Sequence, residues 1–161
     1  MNPCVISRAI LSRIQADTGT GGLYSGPGYK YITGANYNLG APESFTNPYL
    51  IWEVDIIDDH AQGAMGCDFN VTFTANENSR SATDNLEIVI DRLTGDSVLV
   101  TGSNGVPTYG FHNHLLVLPT NTLTATATQM TRVSAHIAPD GVYLVGNVVF
   151  KGRASASAVN L

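Results

Sequence analysis

Charge is the first thing this chain is short of. Asp, Glu, Lys and Arg make up 13% of its 161 residues, against a usual share of about 25%. The basic residues are few and scattered: Arg8, Arg13, Lys30, Arg80, Arg92, Arg132, Lys151 and Arg153. No cationic stripe forms, and the net charge is −5, so tight binding to a nucleic-acid backbone is excluded. Cysteine is scarce too. Cys4 and Cys67 make neither a CxxC pair nor a zinc spacing, and they read as small buried apolar groups. No apolar run approaches the ~18 residues of a membrane helix. Met1 to Arg8 holds no basic region followed by an apolar stretch, so no export signal is expected, and the expectation is a soluble compartment with no membrane partner. Catalytic signatures are also missing: there is no GxSxG, HExxH, Walker loop or dinucleotide fingerprint. No cofactor, no metal and no enzyme activity are expected.

What is present is apolar content of 43% in regular patterns, enough to exclude disorder. At this length one domain is expected over residues 1–161, with a core that needs no disulfide or metal. Ile6, Ala9, Ile10, Arg13 and Ile14 sit at helical spacing, behind Asn2 as a cap and Pro3 in the first turn. Tyr49 to Ile57 reads as a strand and the polar stretch from Asp58 to Gly66 as a break. From Cys67 to Asn76 apolar and polar residues alternate, as in a half-buried antiparallel strand. Ala82, Leu86, Val89, Ile90 and Leu93 form one continuous face of a second helix that Gly95 ends, with Ser79 and Ser81 as candidate caps.

Beyond that helix, Val98 to Val100 and Leu115 to Leu118 read as short strands, the latter stopped by Pro119. Leu123 to Ile137 alternates polar and small residues. Pro139-Asp140-Gly141 reads as a turn, and Tyr143 to Lys151 as a strand that pairs back across it. A fraying tail is expected over 154–161. The order predicts an α+β fold, a mostly antiparallel β-sheet with two α-helices packed on one face.

Several side-chain groups invite a chemical reading. Residues 24–46 form a long Gly-, Pro- and Asn-rich loop holding four of the seven tyrosines, Tyr24, Tyr29, Tyr31 and Tyr37. Tyrosine suits interfaces, because its ring is apolar while its hydroxyl still hydrogen-bonds. His112 and His114 would share a strand face, and Asp58, Asp59 and His60 cluster. A metal site needs a third ligand placed with the pair, and nothing in the sequence places one. Asp84, Glu87 and Asp91 line the polar side of the second helix, where a solvated surface is the plain reading.

The global pattern resembles another class of protein. A leading helix over Ile6–Asp17 and a Tyr/Gly-rich loop precede the strand NPYLIWEVD. The strand–turn–helix CDFNVTFTANENSRSATDNLEIVIDRL and the strand DGVYLVGNVVFKG follow. Over about residues 5 to 153 this is similar to the tail terminator, or tail completion, proteins of long-tailed bacteriophages. Related head–tail joining proteins of the phage neck share the layout.

The resemblance implies a structural virion protein that assembles as a hexameric ring in the host cytoplasm. Such a ring caps the tail tube protein and meets a head-side connector or stopper protein. Genomic DNA passes through its lumen without specific binding. The resemblance suggests the four loop tyrosines as an interface, and the acidic stretch Asp55, Asp58 and Asp59 as a channel lining. Asp84, Glu87 and Asp91 are the other candidate lining. Two other classes fit the composition less fully. One is a small ligand- or carbohydrate-binding β-rich module with a pocket. The other is a small enzyme using the Asp58–His60 and His112–His114 groups.

Overall fold

Period-two patterning dictates the centre of the molecule. In strand β2 (Gly66–Glu77), Cys67, Phe69, Val71, Phe73 and Ala75 are at most 2% exposed. Asp68, Asn70, Thr72 and Thr74 between them keep partial contact with solvent. The computed structural model describes residues 3–17, 22–23, 49–59, 66–95, 109–112, 115–116 and 128–155. The fold is α+β. Helix α1 (Pro3–Gln15) is followed by β1 (Tyr49–Asp59), β2, helix α2 (Ala82–Thr94), the two-residue β3 (Leu115–Leu116), β4 (Thr128–Asp140) and β5 (Tyr143–Ser155). Four long strands make an antiparallel sheet in the order β1-β2-β5-β4, and β3 adds a short pairing on the outer side of β4.

Register decides which side chains share a face. Trp52, Phe73 and Val148 align across β1, β2 and β5, as do Leu50, Ala75 and Gly146, and Val54, Val71 and Phe150. Both helices pack on this side. From α1, Ser7 accepts a 2.8 Å hydrogen bond from the Trp52 indole through its Oγ. From α2, Leu86 and Ile90 close over Gly146, where a Cβ would lie 3.5 Å from a methyl of each. Ile6, Ala9, Ile10 and Ile14 of α1 and Leu86, Val89, Ile90 and Leu93 of α2 join the sheet residues in one core. The apolar stripes read from the sequence are therefore the buried faces. Phe73 is the hub of the aromatic part, with ring centroids 5.2 Å from Phe111, 5.7 Å from Phe150 and 6.2 Å from Trp52.

Several boundaries differ from the sequence reading. β1 continues through Asp58 and Asp59, because a bulge at Ile57 lets the strand stay paired with Asp68 and Cys67. These aspartates are strand residues and not a loop. Pro139 and Asp140 belong to β4, opposite Leu144 and Tyr143. The reversal itself is Gly141-Val142, with Gly141 at φ +62°, as the first central residue of a mirror-image hairpin turn requires. Pro139 is tolerated because β4 lies at the outer side of the four long strands, where a missing N–H need cost no ladder bond. β5 runs on to Ser155, with Ala154 and Ser155 opposite Cys67 and Gly66, so the regular structure reaches two residues into the expected tail.

At the start of α2, Ser81 makes no side-chain cap bond. The buried Glu77 carboxylate instead accepts from the Ser79 backbone N–H and the Asn85 side-chain amide, each at 3.2 Å. The loop over 24–46, the strand over 98–100, the end of the 115–118 strand and the last six residues lie outside the described residues.

A close backbone crossing fixes the other end of α2. Gly95 (φ +88°) and Gly110 (φ +83°) lie back to back. A Cβ on Gly110 would fall 2.2 Å from the Gly95 Cα. The crossing lets Phe111 and His112 donate their N–H groups to the Leu93 and Thr94 carbonyls at 2.8 and 2.9 Å, satisfying acceptors that a helix end leaves open. Gly110→Ala is expected to cost about 1–3 kcal/mol from the backbone conformation alone, with the clash on top. A thermal melt that matched the parent would show that the two chain segments can part without loss.

Candidate functional site

The side of the sheet away from the helices is polar. Along β1 it carries Glu53 and Asp55, both exposed, and after the bulge Asp58, also exposed. β2 adds Asp68, Asn70, Thr72 and Thr74, and β5 adds Asn147, Val149, Lys151 and Arg153 in register with them. Asp68 holds Arg153 in a two-point ion pair at 2.6 and 3.1 Å. This hydrogen bond raises the Arg153 guanidinium above its ordinary value, with a smaller push from Asp58. Thr74 donates to the Asn147 side-chain carbonyl at 3.0 Å. A shallow depression open to solvent lies here, lined by Ile57, Asp68, Asn70, Thr131, Lys151 and Arg153.

Two of the three residues of the expected acidic stretch, Asp55 and Asp58, are on this open face, while Asp59 takes a register position on the helix side. Asp55 sits opposite Asn70, Asp58 opposite Asp68, and Asp59 opposite Cys67 at the end of β1. Asp84, Glu87 and Asp91 are all exposed on α2, which packs on the other face, so the two acidic groups do not form one surface. His112 is tied by its ring: Nδ1 accepts the Arg132 N–H at 3.0 Å. His60 and His114 lie outside the described residues, as do Tyr24, Tyr29, Tyr31 and Tyr37. Among the described residues no three His, Cys, Asp or Glu side chains come together in a way that could hold a metal ion. Cys67 is buried and forms no disulfide among the described residues.

The sequence reading missed an ion pair inside the helix layer. Asp17, just past α1, is 6% exposed. It accepts a fork from Arg92 in the last turn of α2, at 2.8 Å from Nε to Oδ2 and with a second, shorter contact between Nη2 and Oδ1. Asp17 also accepts the Leu23 backbone N–H at 3.1 Å. The Arg92 guanidinium lies 3.5 Å over the Tyr109 ring. The hydrogen bond to Asp17 raises it above its ordinary value. Nearby, Arg13 donates to the Gly110 carbonyl at 3.2 Å. Burial lowers its guanidinium from the ordinary value, partly offset by Asp17. Arg92 is held by a carboxylate and Arg13 by a backbone carbonyl, so both tie parts of the fold together.

The two outer long strands are the other surface to consider. The outer side of β1 has no strand partner among the described residues. Among the described residues, β4 is met on its outer side at Thr128 and Gln129 by β3, at Met130 by a bridge to His112 and at Arg132 by the His112 ring. Two bulge residues stand out from these edges: Ile57 on β1 is 62% exposed and Val133 on β4 is 58% exposed.

No known family model matches this chain, and no curated protein matches it.

Proposed function

We propose that this protein is a structural ring subunit of a long-tailed phage. It closes the head-proximal end of the tail tube and joins it to the head connector as a hexamer, with no catalytic role. The observation that carries the reading is that two long and unlike strands, β1 and β4, lie at opposite sides of the four long strands of one sheet, with no further long strand beside either among the described residues. A closed ring needs two different patches on each subunit, one meeting the other on the next copy. The outer strands of a sheet are surfaces that can supply such patches. The order of helix, two strands, helix and final hairpin agrees with the layout that the resemblance implies. No helix among the described residues is long and apolar enough to cross a membrane.

Light scattering on the purified protein tests the ring, with electron microscopy for its symmetry. A strictly monomeric protein, even with tail tube present, would sink this reading. In the ring reading the exposed carboxylates of the helix-free face lie toward the DNA path. There they repel phosphate and avoid the counterion release that Lys and Arg promote. Asp55→Lys with Asp58→Lys is expected to leave the fold intact, since exposed substitutions cost within ~0.5 kcal/mol each. It should make the ring bind duplex DNA in a salt-dependent way and slow genome ejection. An assembled, charge-reversed ring with unchanged DNA binding and ejection would remove these residues from the path.

A further inference from the structure

We infer that neighbouring copies join end to end, the tip of the β4–β5 hairpin on one copy seating in the depression on the helix-free face of the next. The inference rests on the ring reading and names its contact.

The tip is an apolar prominence with one charge. Asp140 and Tyr143 form the last pair of the β4–β5 ladder, and Gly141 and Val142 turn the chain beyond it. Val142 is 83% exposed and Tyr143 37%. A Cβ on Gly141 would meet nothing within 4 Å, so open space flanks the turn. A single exposed apolar side chain needs no explanation, but here two adjoin at the end of a hairpin.

The depression lies toward the opposite end of the sheet. Its lining comes from Lys151 and Arg153 late in β5, Thr131 early in β4, Asp68 and Asn70 early in β2, and Ile57 at the β1 bulge. Its volume of ≈ 380 Å³ is at the small end of the ~300–1,000 Å³ that ligand pockets occupy. That suits a turn tip and not a whole strand or helix. Ile57, 62% exposed, gives it an apolar wall, and Asn70 and Thr131 bring side chains able to bond a turn's backbone.

Charge matches the two patches. Asp68 in the depression is engaged by Arg153. Lys151 stands between Asn70 and Thr131 across the ladder; it is exposed and has no ion pair among the described residues. The tip brings the opposite sign, since Asp140 is the one charged residue from Pro139 to Tyr143. Asp140 beside Lys151 fixes the register of the contact, and Val142 reaches Ile57.

Distance makes this a contact between copies. Tyr143 and Lys151 are eight positions apart on β5, about 26 Å at ~3.3 Å per residue, so a tip does not reach the depression of its own copy. Every copy then gives one tip and receives another, as a head-to-tail ring requires. The seat also suits a face turned to DNA. Lys151 and Arg153 are the only lysine or arginine that the four long strands place on that face among the described residues. A hairpin seated over them covers both cations and leaves the exposed carboxylates of Glu53, Asp55 and Asp58.

A charge swap tests the contact. Asp140→Lys and Lys151→Asp should each weaken assembly about tenfold or more, the scale of one lost close charge pair. The double variant D140K/K151D should recover most of it, because the pair is restored with its signs exchanged. Val142→Ser should weaken assembly without touching charge. Sedimentation equilibrium reads the association, and thermal melts check that these exposed substitutions leave the fold intact. Single variants that assemble like the parent, or a double variant no better than the singles, would overturn the contact and leave the ring reading standing. Variants that keep the ring but lose the tail tube protein would put another protein in the depression and overturn it too. A parent that forms only a closed dimer, weakened by both singles and rescued by the double, would support the contact and remove the ring. A parent that stays monomeric with tail tube present would remove both.

Discussion

Phe73→Ala is expected to cost about 3–5 kcal/mol of folding stability. Phe73 is fully buried on β2 and is the one ring near all three of Trp52, Phe111 and Phe150. Truncation removes its apolar area and leaves a cavity beneath both helices that the sheet cannot fill, since the neighbouring strands are held in a continuous ladder on each side. The T-shaped contact to Phe150 is lost with it, and such pairs add about 0.5–1.5 kcal/mol beyond area. For a domain of this length each kcal/mol moves the melting temperature by roughly 2–4 °C. Differential scanning calorimetry should therefore show a drop of at least ~6 °C. A smaller drop would mean that Phe111, the ring contributed from outside the regular elements, swings in to fill the space.

Phe111 shows where the sequence stopped being informative. The alternation of Cys67 to Ala75 and the stripe from Ala82 to Leu93 are local signals, and the structure buries those side chains. Both repeat with the period of their element, so composition and spacing were enough. Phe111 lies in the short described stretch 109–112 and has no period to betray it. Its burial depends on the Gly95–Gly110 crossing, in which two glycines separated by 15 positions meet. Bulges are equally silent. The sequence reads as a strand that ends at Ile57 before a polar break, and only the partner strand shows that Ile57 is an extra residue and that the strand goes on through Asp59. That one insertion keeps Asp58 paired and on the polar face, so the aspartates expected in a loop belong to the strand. The tyrosines expected at an interface fall outside the described residues, and the hairpin tip and the depression took their place as the surfaces to test. The depression is a product of strand order, and the order β1-β2-β5-β4 is set by long-range pairing that no local pattern encodes.

Arg92→Ala is expected to be as damaging as the loss of a core ring, although it removes a charged residue. Arg92 and Asp17 are 75 positions apart, and their side chains are 16% and 5% exposed. Removing one partner of a buried pair typically costs about 3–5 kcal/mol, because the other charge is left uncompensated. Asp17 would keep only the Leu23 N–H, and Tyr109 would lose the guanidinium over its ring. Arg92→Lys should fall between, since an ammonium keeps the charge but neither the fork nor the planar stack. The sign of the pH dependence follows from the raised guanidinium. Its stabilisation is fully present below the ordinary arginine value and fades only as pH climbs through the raised one, so alkaline melts up to pH ~10 should not erode it. A double-mutant cycle separates the pair from its surroundings: Asp17→Ala with Arg92→Ala should cost clearly less than the sum of the two singles. Strict additivity would mean that the two side chains act separately. The consequence reaches past stability. Asp17 fixes Leu23, so the clamp holds the residue directly before the tyrosine-rich segment. If that segment meets a partner, Arg92→Ala should weaken the contact at temperatures well below the melting transition, whereas Phe73→Ala at the same temperature should not.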